Sequence, residues 1–279
     1  MLKVRIIPTL LFKDVGLVKG VSFDSWRRVG GAMQAIKVYN LREVDELIFL
    51  DIAATGNGTP PDFASIDDLA DDCFMPMTVG GGIRSLEDVR RMLMVGADKV
   101  SLNTAAVENP DLVRQISNRF GAQCVVISID VRRAGRSKWE VYTHCGTRST
   151  GIDPVAFAER MESLGAGEIL LCSIDRDGTM EGYEIEITRK VSEAVSIPVI
   201  ASGGAGSYEH MAEVLREGRA TDVAAASIFH FTEQTPLEAK RYLAEQGFRT
   251  RINHHGQLPK GDRIHGHRAN IGSRGSHTA

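Results

Sequence analysis

The sequence lacks the cysteine patterns that mark metal-binding and dithiol redox proteins. Its 279 residues include four cysteines, Cys73, Cys124, Cys145 and Cys172, and no two of them form a Cys-x-x-Cys pair. Three of the four lie in or beside apolar runs, where cysteine acts as a small buried hydrophobic residue. We therefore expect structural cysteines, and the sequence indicates neither a metal site nor a cofactor.

Long apolar runs and an excess of charge are also lacking. No apolar stretch approaches the roughly 18 residues of a membrane-spanning helix, and the first residues lack the apolar core of a signal peptide. A formal net charge of -3 gives no electrostatic reason to expect binding to nucleic acid or to an anionic membrane. Hydrophobic residues make up 43% of the chain, so we expect a soluble, cytoplasmic globular protein.

What the sequence does contain is a repeat of itself. Residues 76–82, which end in three glycines, recur as residues 198–204, and residues 45–51 recur more loosely as residues 167–173. In both pairs the two copies are 122 residues apart, which is also the distance from Gly81 to Gly203. The repeat predicts a fold made by duplicating one half, with one related ligand site in each half.

Short apolar runs alternate with helical patterns along the first 250 residues. Eight runs predict strands, at residues 4–11, 46–52, 75–79, 99–102, 124–131, 168–174, 198–201 and 223–226. They are apolar on both faces, as parallel strands buried on both sides are. Eight alternating units predict one (β/α)8 barrel over residues 1–252, with a doubly wound sheet as the alternative. Residues 253–279 carry five of the eight histidines and little apolar content, which predicts a disordered tail.

Glycine pairs follow two of the predicted strands, on the face where barrel enzymes build their sites. Gly81 with Gly82, and Gly203 with Gly204, let backbone N–H groups approach an anion closely. Each pair alone is equally explained by turn geometry. Because the two pairs have the repeat spacing, they predict two phosphate sites and a ligand with a phosphate at each end.

Charged residues stand at both ends of the predicted strands. Asp130, at a strand tip, predicts a general acid or base, with a helix cap as the alternative. Lys19 lies in a glycine-flanked segment that predicts a mobile lid, or else a solvated loop lysine. At the opposite end, two cations and two carboxylates lie at the starts of four predicted strands: Arg5, Lys99, Glu46 and Glu168. They predict a ring of charges across the barrel floor, which either stabilises the barrel or acts as a gate.

Six segments together resemble the cyclase subunit of imidazole glycerol phosphate synthase, over about residues 1–250. They are residues 79–84, 97–101, 165–170, 173–179, 200–206 and 226–231. The resemblance implies a bis-phosphorylated ribulosyl formimino-carboxamide substrate. It also implies a glutaminase partner in a heterodimer, whose ammonia enters through the barrel floor.

The resemblance also implies roles for individual residues. Asp130 matches one of two catalytic carboxylates. The positions matched to phosphate or substrate binding are Lys19, Asp51, Gly81, Gly82, Asn103, Thr104, Asp177, Gly178, Gly203, Gly204, Ala226 and Ser227. The positions matched to the ammonia gate and the partner-facing rim are Arg5, Glu46, Asp98, Lys99, Gln123 and Glu168.

One departure from the family pattern bears directly on the chemistry. The family carries its second catalytic aspartate at the tip of strand 1, and this sequence has Leu11 there. Loss of a positioned acid or base typically lowers a rate about 10²–10⁴-fold. The segment resembles a paralogous branch associated with amidation of surface-polysaccharide sugars, which favours an ammonia-supplying subunit. A working cyclase of histidine biosynthesis is the main alternative, and a non-catalytic activator of a glutaminase is a third.

Overall fold

The computed structural model describes residues 3–14 and 16–252. Within them, eight parallel strands close into a barrel, because each strand pairs with the next and the last pairs with the first. Their order around the barrel is β1 (Ile6–Lys13), β4 (Leu47–Asp51), β5 (Met77–Gly80), β6 (Lys99–Leu102), β7 (Val125–Gly135), β10 (Glu168–Ser173), β11 (Val199–Ser202) and β12 (Asp222–Ala225). The predicted (β/α)8 barrel is confirmed, and the doubly wound alternative is wrong.

Helices connect the barrel strands and cover the outside of the sheet. They are α1 (Ala32–Leu41), α2 (Ala54–Asn57), α3 (Phe63–Ala70), α4 (Leu86–Met94), α5 (Thr104–Glu108), α6 (Asp111–Phe120), α7 (Pro154–Ser163), α8 (Ile185–Ala194), α9 (Tyr208–Arg216), α10 (Ser227–Phe231) and α11 (Pro236–Glu245). None of the helices in the described ranges has the length and apolar character that a bilayer crossing requires. The predicted tail, residues 253–279, lies outside the described residues.

The internal repeat is visible in the helices and their caps. Helices α4 and α9 start at positions with the repeat spacing, and a serine caps each of them. The Ser85 hydroxyl accepts from the Asp88 backbone N–H, and the Ser207 hydroxyl accepts from that of His210. Since an N-cap serine satisfies a helix-end N–H that has no internal partner, the repeat preserves where each helix begins.

Two antiparallel arms stand on the barrel beyond the eight core strands. The chain turns back after β1 to form β2 (Gly16–Val21) and β3 (Asp24–Gly30), while β8 (Lys138–Thr143) and β9 (Arg148–Ser149) follow β7. The second arm extends β7, because β8 pairs antiparallel with both β7 and β9. The first differs from the loop expected around Lys19, because β2 pairs with both β1 and β3.

The barrel interior contains a layer of apolar side chains that separates its two ends. All but one of its members are at most 1% exposed; they are Ile7, Ile48, Val126, Leu170, Ile200 and Ala224. The layer is contributed by six of the eight strands, as in the packed cores of other barrels. It lies between the charged floor and the cavity described below.

Candidate functional site

A cavity of about 430 Å³ opens at the carboxyl ends of the barrel strands. The sequence-predicted catalytic and substrate residues, and the substituted position, all line it: Leu11, Lys19, Asp51, Gly81, Gly82, Asn103, Thr104, Asp130, Asp177, Gly178, Gly203, Gly204, Ala226 and Ser227. The structure therefore brings these residues together, although they span most of the chain. Two arm residues that the sequence did not suggest, Phe23 and Trp26, also line the cavity. No motif marked them, because their position follows from the fold of the arm.

The first glycine pair shapes one side of the cavity. Gly81 and Gly82 have φ values of +110° and +73°, which L side chains rarely adopt. A Cβ at Gly81 would lie 2.2 Å from the Asp51 carbonyl oxygen. The Asp51 carboxylate accepts from the backbone N–H groups of Ala53 and Ala54 at 2.9 and 3.0 Å. We call the backbone around Gly81 and Gly82 the first cup. Its packing leaves no room for a side chain, and its exposed backbone suits an anion.

The second glycine pair repeats this arrangement on the other side. Gly203 and Gly204 have φ values of +88° and +109°, and a Cβ at Gly203 would lie 2.7 Å from the Ser173 carbonyl oxygen. Ser173 stands at the repeat position of Asp51. Close to this pair, the Ser227 hydroxyl is buried and has no hydrogen-bond partner among the described residues. The two cups are therefore related in backbone geometry, as the repeat predicts.

Lys19 is buried at the second cup. Its side chain is 2% exposed, and its Nζ lies 2.7 Å from Asp177 Oδ2. The backbone N–H of Ser22 donates to the Asp177 carbonyl at 2.8 Å, so the arm is attached at two points. Burial raises the pKa of Asp177, and the charge of Lys19 opposes that rise. The solvated loop lysine, which was the alternative to a mobile lid, is wrong, because Lys19 forms a buried ion pair.

Asp130 occupies the cavity wall formed by β7. Its side chain is 8% exposed, and burial raises its pKa to about 7, with a further contribution from the charge of Asp177. Ser128 Oγ donates to Asp130 Oδ1 at 3.3 Å, which partly opposes the rise, and Asn103 Nδ2 donates to the other oxygen at 3.3 Å. A carboxyl group that titrates near neutral pH can both accept and donate a proton under physiological conditions.

Leu11 faces the same cavity from β1 and is 8% exposed. In the eight-stranded barrel, β1 and β7 are separated by three strands in either direction, so Leu11 and Asp130 lie on opposite walls. A leucine side chain has no group that can transfer a proton or accept a hydrogen bond. The cavity is thus chemically asymmetric, although its two cups are alike.

The floor of the barrel holds a closed set of ion pairs. Arg5 Nη1 lies 2.7 Å from Glu46 and 2.9 Å from Glu168, while Lys99 Nζ lies 2.8 Å and 3.0 Å from the same two residues. Arg5 Nη2 also bonds Asp222 at 2.7 Å. Burial opposes the charge of Arg5, yet these carboxylates raise its pKa above the ordinary value. The predicted ring is present, whereas Asp222 was missed although it opens a strand as the two glutamates do.

The two residues predicted at the partner-facing rim make local backbone contacts. Asp98 Oδ2 accepts from the Met77 backbone N–H at 2.8 Å, and Gln123 Nε2 donates to the Phe120 carbonyl at 3.1 Å. Neither takes part in the ring of floor ion pairs. Their role toward a partner stays a prediction.

Closed (β/α)8 topology with its cavity at the carboxyl ends of the strands defines the class of protein: a barrel of the kind that carries active sites on this face. A profile of the histidine biosynthesis protein family matches residues 5–235. The match covers more than half of the 279 residues and all eight barrel strands. The chain belongs to the histidine biosynthesis protein family.

Proposed function

We propose that this protein is the barrel subunit of a glutamine amidotransferase, and that it supplies ammonia for amidation of a surface-polysaccharide sugar. Ammonia would come from a glutaminase partner and pass through the barrel to the upper cavity. The observation that carries the proposal is Leu11, which lines the cavity opposite Asp130. Ring closure on the family's pattern needs a proton-transfer group at that position, whereas delivery of ammonia does not.

The two cups support a phosphate-bearing ligand at the upper face. Each offers bare backbone at two glycines with positive φ, and backbone N–H groups in such turns favour anions. One buried cation, Lys19, lies at the second cup, where it is bonded to Asp177. A phosphate entering there would compete with Asp177 for the lysine, so ligand binding and the position of the arm are coupled.

The apolar layer supports passage of neutral ammonia rather than ammonium. It lies between the floor ion pairs and the cavity, and its side chains offer no hydrogen-bonding group. Moving an ion through such surroundings is far more costly than moving a small neutral molecule. Arg5 and Glu168 in the floor keep 18% and 12% of their side-chain surface exposed, and a partner beneath the barrel would contact that surface.

A second candidate is the cyclase of histidine biosynthesis itself. It would convert ammonia and the bis-phosphorylated ribulosyl formimino-carboxamide to imidazole glycerol phosphate and aminoimidazole carboxamide ribotide. The pKa of Asp130, raised to about 7 by burial, favours this candidate because it suits one residue to act as acid and base in turn. The family match is compatible with both candidates.

Ammonia-dependent turnover of the bis-phosphate by the purified chain separates the two candidates. At a pH where free ammonia is abundant, we expect the natural chain to form little imidazole glycerol phosphate. Leu11→Asp should raise the rate at least about 10²-fold if the rest of the site is intact. The double variant Leu11→Asp, Asp130→Asn is the control and should lose that gain. A turnover number of about 1–10³ s⁻¹ for the natural chain would establish the cyclase and contradict our proposal.

A further inference from the structure

A second unpartnered hydroxyl lies in the cavity, and neither the sequence nor the resemblance assigns it a role. Thr9 is 7% exposed, lines the cavity, and its Oγ1 has no hydrogen-bond partner within residues 3–14 and 16–252. A buried hydroxyl without a partner is destabilising, so folded proteins contain few of them. A small polar molecule in the cavity can satisfy it.

The position of Thr9 along the barrel axis indicates which kind of molecule could reach its hydroxyl. Side chains alternate along a strand, so Ile7, Thr9 and Leu11 of β1 share the interior face. Ile7 belongs to the apolar layer, while Thr9 and Leu11 line the cavity. On this strand Thr9 is the first polar side chain that a molecule meets after crossing the apolar layer from the floor.

The opposite strand shows why the hydroxyl is unpartnered. On β7, Ser128 lies two residues before Asp130, and its hydroxyl donates to that carboxylate at 3.3 Å. On β1, Thr9 lies two residues before Leu11, which offers no acceptor. The leucine therefore has a second consequence besides the loss of an acid: it leaves a hydroxyl free at the level where ammonia would enter the cavity.

We propose that Thr9 binds neutral ammonia at the top of the apolar layer, an inference that rests on the function proposed above. The hydroxyl can donate to the ammonia lone pair and accept from an N–H. Because it carries no charge, it offers nothing that would hold an ammonium ion or a phosphate in preference. Thr9 lines the cavity, but its hydroxyl oxygen is buried in the structure, so ammonia binding requires the side chain to turn that oxygen toward the cavity.

Methyl NMR of the full chain tests the proposal without requiring turnover. Threonine γ2 and isoleucine δ1 methyl groups are labelled, and ammonium chloride is added at a pH where most of it is neutral and again at a pH where it is all charged. We expect saturable shifts of the Thr9 and Ile7 methyl signals at the high pH only. Sodium chloride at equal concentration controls for ionic strength.

Matched threonines and variants make the result specific. Thr188 is also buried, but its hydroxyl donates to the Glu184 carbonyl at 2.7 Å, and its methyl signal should not move. In Thr9→Val, which keeps the shape and removes the hydroxyl, the Ile7 shift should disappear; in Thr9→Ser it should persist. No saturable shift in the natural chain, or an unchanged Ile7 shift in Thr9→Val, would overturn the proposal.

The outcome is separable from that of the function test. Saturable ammonia binding in a chain that associates with no glutaminase would leave the Thr9 site standing and refute the proposed function. A glutaminase complex without any Thr9 shift would refute only the site. Where turnover with ammonia is measurable, Thr9→Val should raise the KM for ammonia about three- to tenfold, as expected for one lost hydrogen bond, and Thr9→Ser should not.

Discussion

The two ends of the barrel satisfy their polar groups in different ways. At the floor, Arg5 and Lys99 bond both Glu46 and Glu168, so the charges there are paired within the chain. At the mouth, the Thr9 and Ser227 hydroxyls have no partner in the described residues, and burial raises the pKa of Asp130 to about 7. The floor charges are thus paired within the chain, whereas two hydroxyl groups at the mouth have no protein partner in the described residues.

The largest loss of stability is expected when one cation of the floor ion pairs is removed. Arg5→Met would leave Glu46, Glu168 and Asp222 with Lys99 as the remaining cation of the ring. Removing one partner from a buried ionic network typically costs about 3–5 kcal/mol of unfolding free energy. Urea unfolding measures the loss.

The control for that variant is an exposed ion pair. Arg114 lies 2.6 Å from Asp111, and both side chains are 56% exposed. Arg114→Met should change stability by no more than about 0.5–1 kcal/mol, because solvent screens such pairs. Equal losses in Arg5→Met and Arg114→Met would show that the floor ring is not a stabilising network.

Substitution of the buried carboxyl group at the mouth should have the opposite effect and raise the free energy of unfolding. In the folded chain Asp130 keeps its proton up to a pKa of about 7, compared with 3.8 ordinarily, so the unfolded state binds fewer protons between these values. Stability of the natural chain therefore falls as the pH rises through that window. Asp130→Asn should be more stable by about 2–4 kcal/mol at pH 8, with the advantage shrinking toward pH 4. A difference that does not vary with pH would contradict the raised pKa.

The smallest stability effect is expected at the unpartnered hydroxyl of the second cup. Ser227→Ala removes a buried hydroxyl that has no partner in the described chain, so the free energy of unfolding should stay the same or rise by no more than about 1 kcal/mol. Thr188→Val, which removes a hydroxyl bonded to the Glu184 carbonyl, should cost about 1 kcal/mol. Calorimetry with inorganic phosphate should show weaker binding only in Ser227→Ala. Unchanged phosphate binding would remove Ser227 from the cup.

Features fixed by repetition and strand periodicity were predictable from the sequence. The glycine pairs around Gly81 and Gly203 and the floor glutamates all share one spacing, and the parallel barrel converts equal spacing into equivalent positions. Because every strand runs the same way, residues at strand ends meet at one face. The cavity lining follows from these two rules.

Features that depend on long-range pairing were not predictable. The segment that forms β3 has no alternation of apolar and polar residues, and most of its side chains are exposed, so nothing marked the arm that buries Lys19. The partner of Lys19 lies 158 residues further along the chain. The same holds for Lys240, which pairs with Asp45 in the core at 2.9 Å.

The pairing that closes the barrel also limits how early the protein can fold during its synthesis. Strand β1 pairs with β12, with Ile6 aligned to Val223, so one edge of the first strand has no partner until the last strand is made. At about 5–20 residues per second, a ribosome needs roughly 10–40 s to add the intervening chain. The barrel can therefore close only after β12 has been synthesised, and until then one edge of β1 has no partner within the barrel.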